Sequence, residues 1–234
     1  MERPAYRFIK RLFDILSSTL AIVITMPFWL VIAAGIKCSS SGPIFYRAER
    51  VGKNAKTFTL LKFRSMHQYL RGSNTFGEQR EGGAIANKDR IFPFGSFLRK
   101  SKLDELPQLL NILKGQMSIV GPRPLSELGV KNHYVGKYDN VLTVEPGLTC
   151  LDSLYDYAHG ELVVDNSEEY YRKIAPVRDC LANIYVERRS LAMDLYCIFR
   201  TVKLMFQIVF QNKRVFPLTE YESEAEKKVF GLLK

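Results

Sequence analysis

The sequence predicts an α+β fold, mainly helical, laid out as a monotopic membrane protein with an N-terminal re-entrant helix broken at Pro27, a short β-hairpin and interfacial amphipathic helices. Three observations lead there. Ile15 to Ile36 carry no charge over 22 residues, enough to cross a hydrocarbon core of about 30 Å as a helix. Two β-like runs, Ile44 to Val51 and Thr57 to Phe63, flank Gly52-Lys53-Asn54-Ala55-Lys56, which has the length and residue types of a hairpin loop. From Leu191 to Phe210 the chain is strongly apolar, yet Arg200, Lys203, Gln207, Gln211 and Arg214 recur at three- and four-residue steps and form one polar stripe.

The first element is read as re-entrant for electrostatic and steric reasons. Pro27 sits near the middle of the apolar run, where it removes a backbone hydrogen bond and clashes with the preceding turn. Both flanks are basic, with Arg3, Arg7, Lys10 and Arg11 before the run and Lys37, Arg47, Arg50 and Lys53 after it. A crossing helix cannot keep both flanks on the cytoplasmic side, whereas a segment that enters, bends at Pro27 and returns can. A straight span is the alternative. A cleaved signal peptide fits less well, because the run exceeds the usual apolar core of a signal and lacks a small-residue cleavage site. Residues 1–40 are thus assigned to the membrane helix with its basic flanks. Residues 41–234 form a cytoplasmic domain that includes an interfacial helix at about 191–214. A second span there would place charges in mid-bilayer at ~2.5 to 3.5 kcal/mol each. The tail from Glu220 to Lys234 is read as a final surface helix.

Lys and Arg number 34 against 24 Asp and Glu, a formal net charge of +10. That excess points to a polyanionic partner: nucleic acid, anionic lipid or a phosphorylated substrate. The apolar run and the lack of a nucleic-acid motif argue against the first. Cys38, Cys150, Cys180 and Cys197 are widely spaced and form no metal pattern, so they are read as reduced thiols facing the cytoplasm. His67, His133 and His159 lie far apart and give little support to a histidine metal site.

Chemistry concentrates between Ser101 and Pro124, SKLDELPQLLNILKGQMSIVGPRP. Asp104 and Glu105 are adjacent carboxylates, and Arg123 is held between two prolines. One acid can attack phosphorus, its neighbour can hold a divalent metal, and a guanidinium can clamp phosphate oxygens. The plainer reading is structural. Ser101-Lys102-Leu103-Asp104 fits the S-x-x-D pattern of a helix start, and taken alone that reading comes first. Pro107 places the start or a kink of a helix beside the acids, Gln108 to Leu113 continues it and Lys114-Gly115 ends it. The basic hairpin residues, Lys62 and Arg64 among them, lie near headgroups or a phosphate substrate, or else form a solvated face. His67 to Asn87 is polar, without period, and is read as a loop that orders over substrate.

Several segments together resemble one family. Leu98-Arg99, Leu103-Asp104-Glu105-Leu106-Pro107-Gln108, Asn111, Gly115, Met117-Ser118 and Val120-Gly121-Pro122-Arg123-Pro124 are similar to the signature of the bacterial sugar transferases, the monotopic polyprenol-phosphate phosphoglycosyl transferases. Lys62-Phe63-Arg64-Ser65-Met66, Pro146-Gly147-Leu148-Thr149, and Ser190 with Asp194-Leu195 match further segments, so the likeness covers most of the chain. It implies a single re-entrant helix broken at a proline, in the bacterial inner membrane, with the catalytic domain on the cytoplasmic face. It also implies a ping-pong reaction. Asp104 would attack the β-phosphate of a UDP-sugar and release UMP, Glu105 would help bind Mg²⁺, and a polyprenol phosphate would take the phosphosugar from the aspartyl intermediate. By the same resemblance Arg99 and Arg123 contact phosphates, and Lys62 and Arg64 join that binding set. The expected partners are therefore the UDP-sugar donor, the polyprenol phosphate acceptor and anionic membrane lipid, with no nucleic acid; a homodimer stays open. Only 14 residues precede the apolar run, which suggests a short, catalytic-domain-only form.

The chain departs from the family pattern at several positions. Met26 stands where Ser often precedes the helix-breaking proline, leaving Thr25 as the nearby hydroxyl. Phe92-Pro93 replaces a common Thr-Arg, Lys102 a frequent Ser, and Gln116 an acidic residue. Cys150-Leu151-Asp152 replaces the usual Gly and the Trp/Ala-Gln pattern downstream of it. None of these removes the acidic pair. A non-catalytic scaffold at the membrane surface is the rival reading, and it has no need of Asp104, Glu105, Arg99 and Arg123 together.

Overall fold

A long helix, α1 (Pro4–Ser39), lies along the rest of the protein and takes part in two of the three hydrophobic clusters found among the described residues. The computed structural model describes residues 4–67, 90–160, 167–211 and 215–231; Arg3, Arg214 and the stretch read as a loop over 67–87, His67 apart, lie outside them. Asp14, Ser18, Ala21, Thr25, Trp29, Ile32 and Ile36, spaced by three and four residues, are the covered side of α1. Leu16, Leu20, Val23, Ile24, Leu30 and Val31 form an exposed side, with Leu30 at 77%. The helix is long and apolar enough to cross a membrane.

Helical structure continues through Pro27, so the sequence-predicted break is not present in the secondary structure. The ring lies on the exposed side, where losing one bond and crowding the previous turn bends a helix away from the proline without ending it. Nor does Thr25 serve the carbonyl that Pro27 leaves without its usual donor. Its hydroxyl donates to Ala21 O at 2.7 Å and accepts from Trp29 Nε1 at 3.2 Å.

After the turn at 40–43 come β1 (Phe45–Val51) and β2 (Thr57–Phe63), antiparallel, with Phe45 opposite Phe63 and Val51 opposite Thr57. Within two residues, this is the hairpin that the alternation predicts. Phe58 and Leu60 face inward while Thr57 and Thr59 face out. α2 (Pro93–Lys100) begins with proline in its first turn, where no N–H is needed. A 3-10 turn over Leu103–Glu105 follows, then α3 (Gln108–Leu113). Asn111 fixes α3 to β2, accepting from Leu61 N at 3.1 Å and donating to Thr59 O at 2.8 Å. Arg11 of α1 donates to Ile112 O and Leu113 O at 2.6 and 2.8 Å, closing the C-terminal end of α3 with a cation.

Two short strands carry the arginine loop. β3 (Ser118–Val120) pairs in parallel with β4 (Gly147–Thr149), on either side of α4 (Glu127–His133). Their ends touch so closely that a Cβ on Gly121 would lie 2.4 Å from Glu145 O, and one on Gly147 only 2.2 Å from Gly121 N. Only glycine permits that approach, which explains both glycines in the sequence patterns. Asp14 reaches the same strand, accepting from Ser118 Oγ and Ile119 N at 3.1 and 2.9 Å.

The largest cluster is helical. α5 (Leu151–His159) packs on α7 (Ala175–Arg188), which α6 (Ser167–Glu169) enters through a π turn at Tyr170–Ile174. α9 (Glu220–Phe230) begins in a capping box between Thr219 and Glu222, and its Ala225 is fully buried, so the predicted surface helix has a core-facing side. α8 (Leu191–Val209) buries Met193, Cys197, Leu204 and Ile208. Leu195, Phe199, Val202, Phe206 and Phe210 make an outward apolar stripe, Phe199 being 70% exposed. The starts of α1 and α8 are joined at Asp194, whose carboxylate accepts from Tyr6 and Lys10 at 3.0 Å and from Tyr185 at 2.7 Å.

Candidate active site

The acidic pair sits on the 3-10 turn, not at a helix start. Ser101 donates its hydroxyl to Phe97 O at 2.8 Å and so closes α2 instead of capping the next turn. Lys102 is left-handed, with φ 58°. That reversal turns the chain sharply and sets Asp104 and Glu105 between α2, β2 and α3. The S-x-x-D pattern is therefore not a capping box here.

Asp104 is 6% exposed, and its Oδ1 is buried with no hydrogen-bond partner among the described residues. Burial raises its carboxyl above the ordinary range, while Lys62, Lys102 and Arg99 pull the other way. Glu105 Oε1 accepts from Lys62 Nζ at 2.7 Å and lies 3.8 Å from Arg123 Nη2. Burial would raise Glu105 too, but Lys62, Arg123 and Lys102 outweigh it and bring its pKa to about 2. The two acids thus differ: Glu105 is a firmly ionised anchor, and Asp104 is a desolvated carboxyl with an open oxygen. A buried oxygen of this kind is free to take water, an ion or a reacting atom, and Asp152 Oδ1, beside Arg123, is another among the described residues.

Arg123 is held through its main chain and its side chain. Gly147 N donates to Pro122 O at 2.9 Å, and Arg123 N donates to Asp152 Oδ2 at 2.8 Å. Its Nη1 donates to Tyr157 OH at 3.2 Å. Arg99, on the last turn of α2, stands with Nη1 3.9 Å from Met66 Sδ and acts on Asp104 through its charge. Four basic side chains, Lys62, Arg99, Lys102 and Arg123, therefore bear on Asp104 and Glu105, with Asp152 and Asp156 beside Arg123 as well, a basic lining suited to a phosphate ester.

Arg64 is not part of this group. It is 2% exposed, and it donates to Pro43 O, Ser40 O, Ser41 O and Ser40 Oγ at 2.6 to 2.8 Å. The expectation that it binds phosphate is corrected on that ground, because its guanidinium fork is occupied in fastening the end of α1 to β2. Arg64→Lys cannot reproduce that fork and is expected to cost about 3 kcal/mol of stability. Denaturant midpoints in detergent would check it; an unchanged midpoint would mean that these bonds carry no weight.

The motif order and this geometry can be compared with known proteins. A family model described as bacterial sugar transferase matches residues 5–208. The chain belongs to the bacterial sugar transferase family. It is 34% identical over 213 residues to the exopolysaccharide production protein ExoY of Rhizobium meliloti, covering 86% of each chain. It is 41% identical over 146 residues to a UDP-glucose:undecaprenyl-phosphate glucose-1-phosphate transferase of Xanthomonas campestris, covering 60% of this chain and 28% of that one. To the undecaprenyl-phosphate galactose phosphotransferase of Salmonella typhimurium it is 33% identical over 219 residues, covering 88% of this chain and 42% of that one.

Within this family member, sequence reasoning placed the acidic pair, Lys62, Arg99 and Arg123 together and missed three neighbours. Asp152, 1% exposed, holds the Arg123 main chain. Tyr157 receives the Arg123 side chain, and the Lys102 ammonium stands 3.9 Å from the centroid of the same ring. Lys102 and Asp152 left a signal as departures from the family pattern, while Tyr157 left none. Asp152 and Tyr157 arrive on α5.

Proposed function

We propose that the protein moves a phosphosugar from a UDP-sugar to polyprenol phosphate, with Asp104 as nucleophile. The observation that carries this reading is the partnerless, desolvated oxygen of Asp104 amid four basic side chains, in a chain whose relatives include sugar-phosphate transferases acting on undecaprenyl phosphate. An Asp104 oxygen attacks the β-phosphorus, the bond from that phosphorus to the α–β bridging oxygen breaks, and UMP leaves with the bridging oxygen. A phosphate oxygen of the polyprenol phosphate then attacks the same phosphorus. The bond to Asp104 breaks, the carboxylate returns, and the product is a polyprenol diphosphate sugar. Arg123, Arg99 and Lys62 neutralise charge on the diphosphate oxygens throughout.

Magnesium fits the donor set. Among the described residues no group of three or more His, Cys, Asp and Glu could hold a metal, but this ion commonly takes one or two carboxylates and completes its shell with phosphate oxygens and water. Glu105 would hold it, and it would supply further neutralisation of the diphosphate.

A re-entrant placement of α1, with the body on the cytoplasmic face of the inner membrane, is part of this reading. What supports the placement is that both ends of the helix rest on the same body, at Asp194 and at the cluster of Ile32, Ile36, Phe63, Phe92 and Leu98, with Ala21 and Ile22 packed on it between them. Pro27 lies on the outward side, among the exposed apolar residues that would meet lipid. The outward stripe of α8 suits the same interface.

The experiment is UMP release by the detergent-purified protein with Mg²⁺, polyprenol phosphate and a panel of UDP-sugars. UMP with one or two donors is expected; UDP would overturn the mechanism, since it means direct glycosyl transfer. Topology has a native reporter in exposed Cys38, the other three cysteines being buried. Cys38 and an introduced Ala5→Cys should both react with a membrane-impermeant maleimide from the cytoplasmic side. Labelling from opposite sides would overturn the re-entrant reading.

A further inference from the structure

Lys102, two residues before the proposed nucleophile, is not a solvated charge. Its backbone is left-handed at φ 58°, which brings the side chain back over the turn it precedes. Its ammonium rests 3.9 Å from the centroid of the Tyr157 ring, and the hydroxyl of that ring accepts from Arg123. One aromatic side chain thus receives two cations beside the acidic pair. Burial, with Arg123 and Lys62, brings the Lys102 ammonium below the ordinary lysine range, while Glu105 and Asp104 favour its protonation. Among the described residues its ammonium meets the Tyr157 ring, whereas Lys62 has a carboxylate in Glu105 and Arg123 a hydroxyl in Tyr157. A cation on an aromatic face gains only about 0.5 to 2 kcal/mol, less than a charge-assisted bond to phosphate can offer.

We propose that Lys102 is a further phosphate-binding residue of this chain, held on Tyr157 in the unliganded site and transferred onto a non-bridging oxygen of the donor's diphosphate. This rests on the phosphosugar-transfer reading and adds a residue to it. Lys62 and Arg123 already face Glu105, so Lys102 is the basic side chain that a diphosphate oxygen can recruit from an aromatic face, and a chain with an uncharged residue there must bind the diphosphate with one contact fewer. Tyr157 then has a defined part: it keeps a long, rotamer-rich side chain beside the site, so that less entropy is lost when phosphate arrives.

The first test is UDP affinity by calorimetry, in detergent with Mg²⁺, beside UMP release and melting temperature. Lys102→Asn suits the left-handed backbone and is expected to weaken UDP binding by roughly tenfold or more, the value of a hydrogen bond to a charged group. The donor KM should rise in step, and Lys102→Arg should recover most of the loss. Equal UDP affinity and KM in Lys102→Asn would overturn the inference, leaving Lys102 as packing on Tyr157. A second test needs no variant. Saturating UDP should protect Lys102 of the native protein from an amine-reactive ester, read by peptide mass spectrometry, and labelling unchanged by UDP would equally overturn it. Failure of the native protein to release UMP from any donor would instead overturn the reading beneath it.

Discussion

Asp104→Asn is expected to lower UMP release by roughly a thousandfold or more while the fold is kept or becomes slightly more stable. The loss follows from chemistry, since a carboxamide cannot form the phosphoaspartyl bond. The stability follows from burial. Desolvation raises the Asp104 carboxyl above its ordinary value, only partly offset by Lys62, Lys102 and Arg99. A carboxyl raised on folding contributes stability that is present below its unfolded pKa and lost as pH rises through the folded one. At neutral pH the charged form is therefore a burden that asparagine removes. The same shift puts the acid limb of activity above the ordinary aspartate range, because only the carboxylate attacks. Turnover and melting temperature of the two proteins, measured across pH, check both statements. Native-like turnover in the variant would end the covalent mechanism, and a large drop in melting temperature would mean that Asp104 is structural.

Glu105→Gln should have the opposite signature. Its carboxyl is held at about 2 against an ordinary 4.5, burial being outweighed by Lys62, Arg123 and Lys102, and its side chain is only 11% exposed. A depression of this size corresponds to about 3 kcal/mol, present above the unfolded pKa and lost as pH falls through the folded one. Glutamine keeps the shape but leaves Lys62 and Arg123 facing a neutral group. Stability near neutral pH should fall by about that amount, and turnover by roughly a hundredfold, with a weaker response to Mg²⁺. Denaturant midpoints from neutral pH down to about pH 2 are the check, because the gap between native protein and variant should close on acidification. A gap that stays constant would show that the ion pairs are not its source.

What was legible in the sequence is what depends on neighbours in the chain. The hairpin could be placed because its alternation and its loop are local, and Pro122-Arg123-Pro124 announces a fixed arginine through its prolines. The acidic pair was found, but its setting was misjudged. Ser101 could cap a helix or close one, and only the left-handed Lys102 decides between them. Arg64 and Lys62 stand two residues apart on one strand and its end and look alike in sequence, yet one is buried among the carbonyls of a turn and the other reaches Glu105. Asp152 and Tyr157 come from about 50 residues downstream through packing of α5, which no local pattern encodes. At Pro27 the helix continues, because composition cannot say which side of a helix faces the body and the ring lies on the exposed side.

The way α1 is built into the body has a practical consequence. Ala21 and Ile22 pack beside Phe58, Leu60 and Ile112, Ile32 and Ile36 complete the cluster around Phe63 and Leu98, and Arg11 closes the helix that comes after the acidic pair. α1 is thus not an appendage that can be clipped from the rest of the chain. A truncated chain beginning after Ser39 would expose two opened clusters and an uncapped α3 within a few residues of Glu105. For this protein, α1 must accompany the rest of the chain in every preparation meant for assay, since the residues that hold α1 and those that set the acidic pair share the same packing.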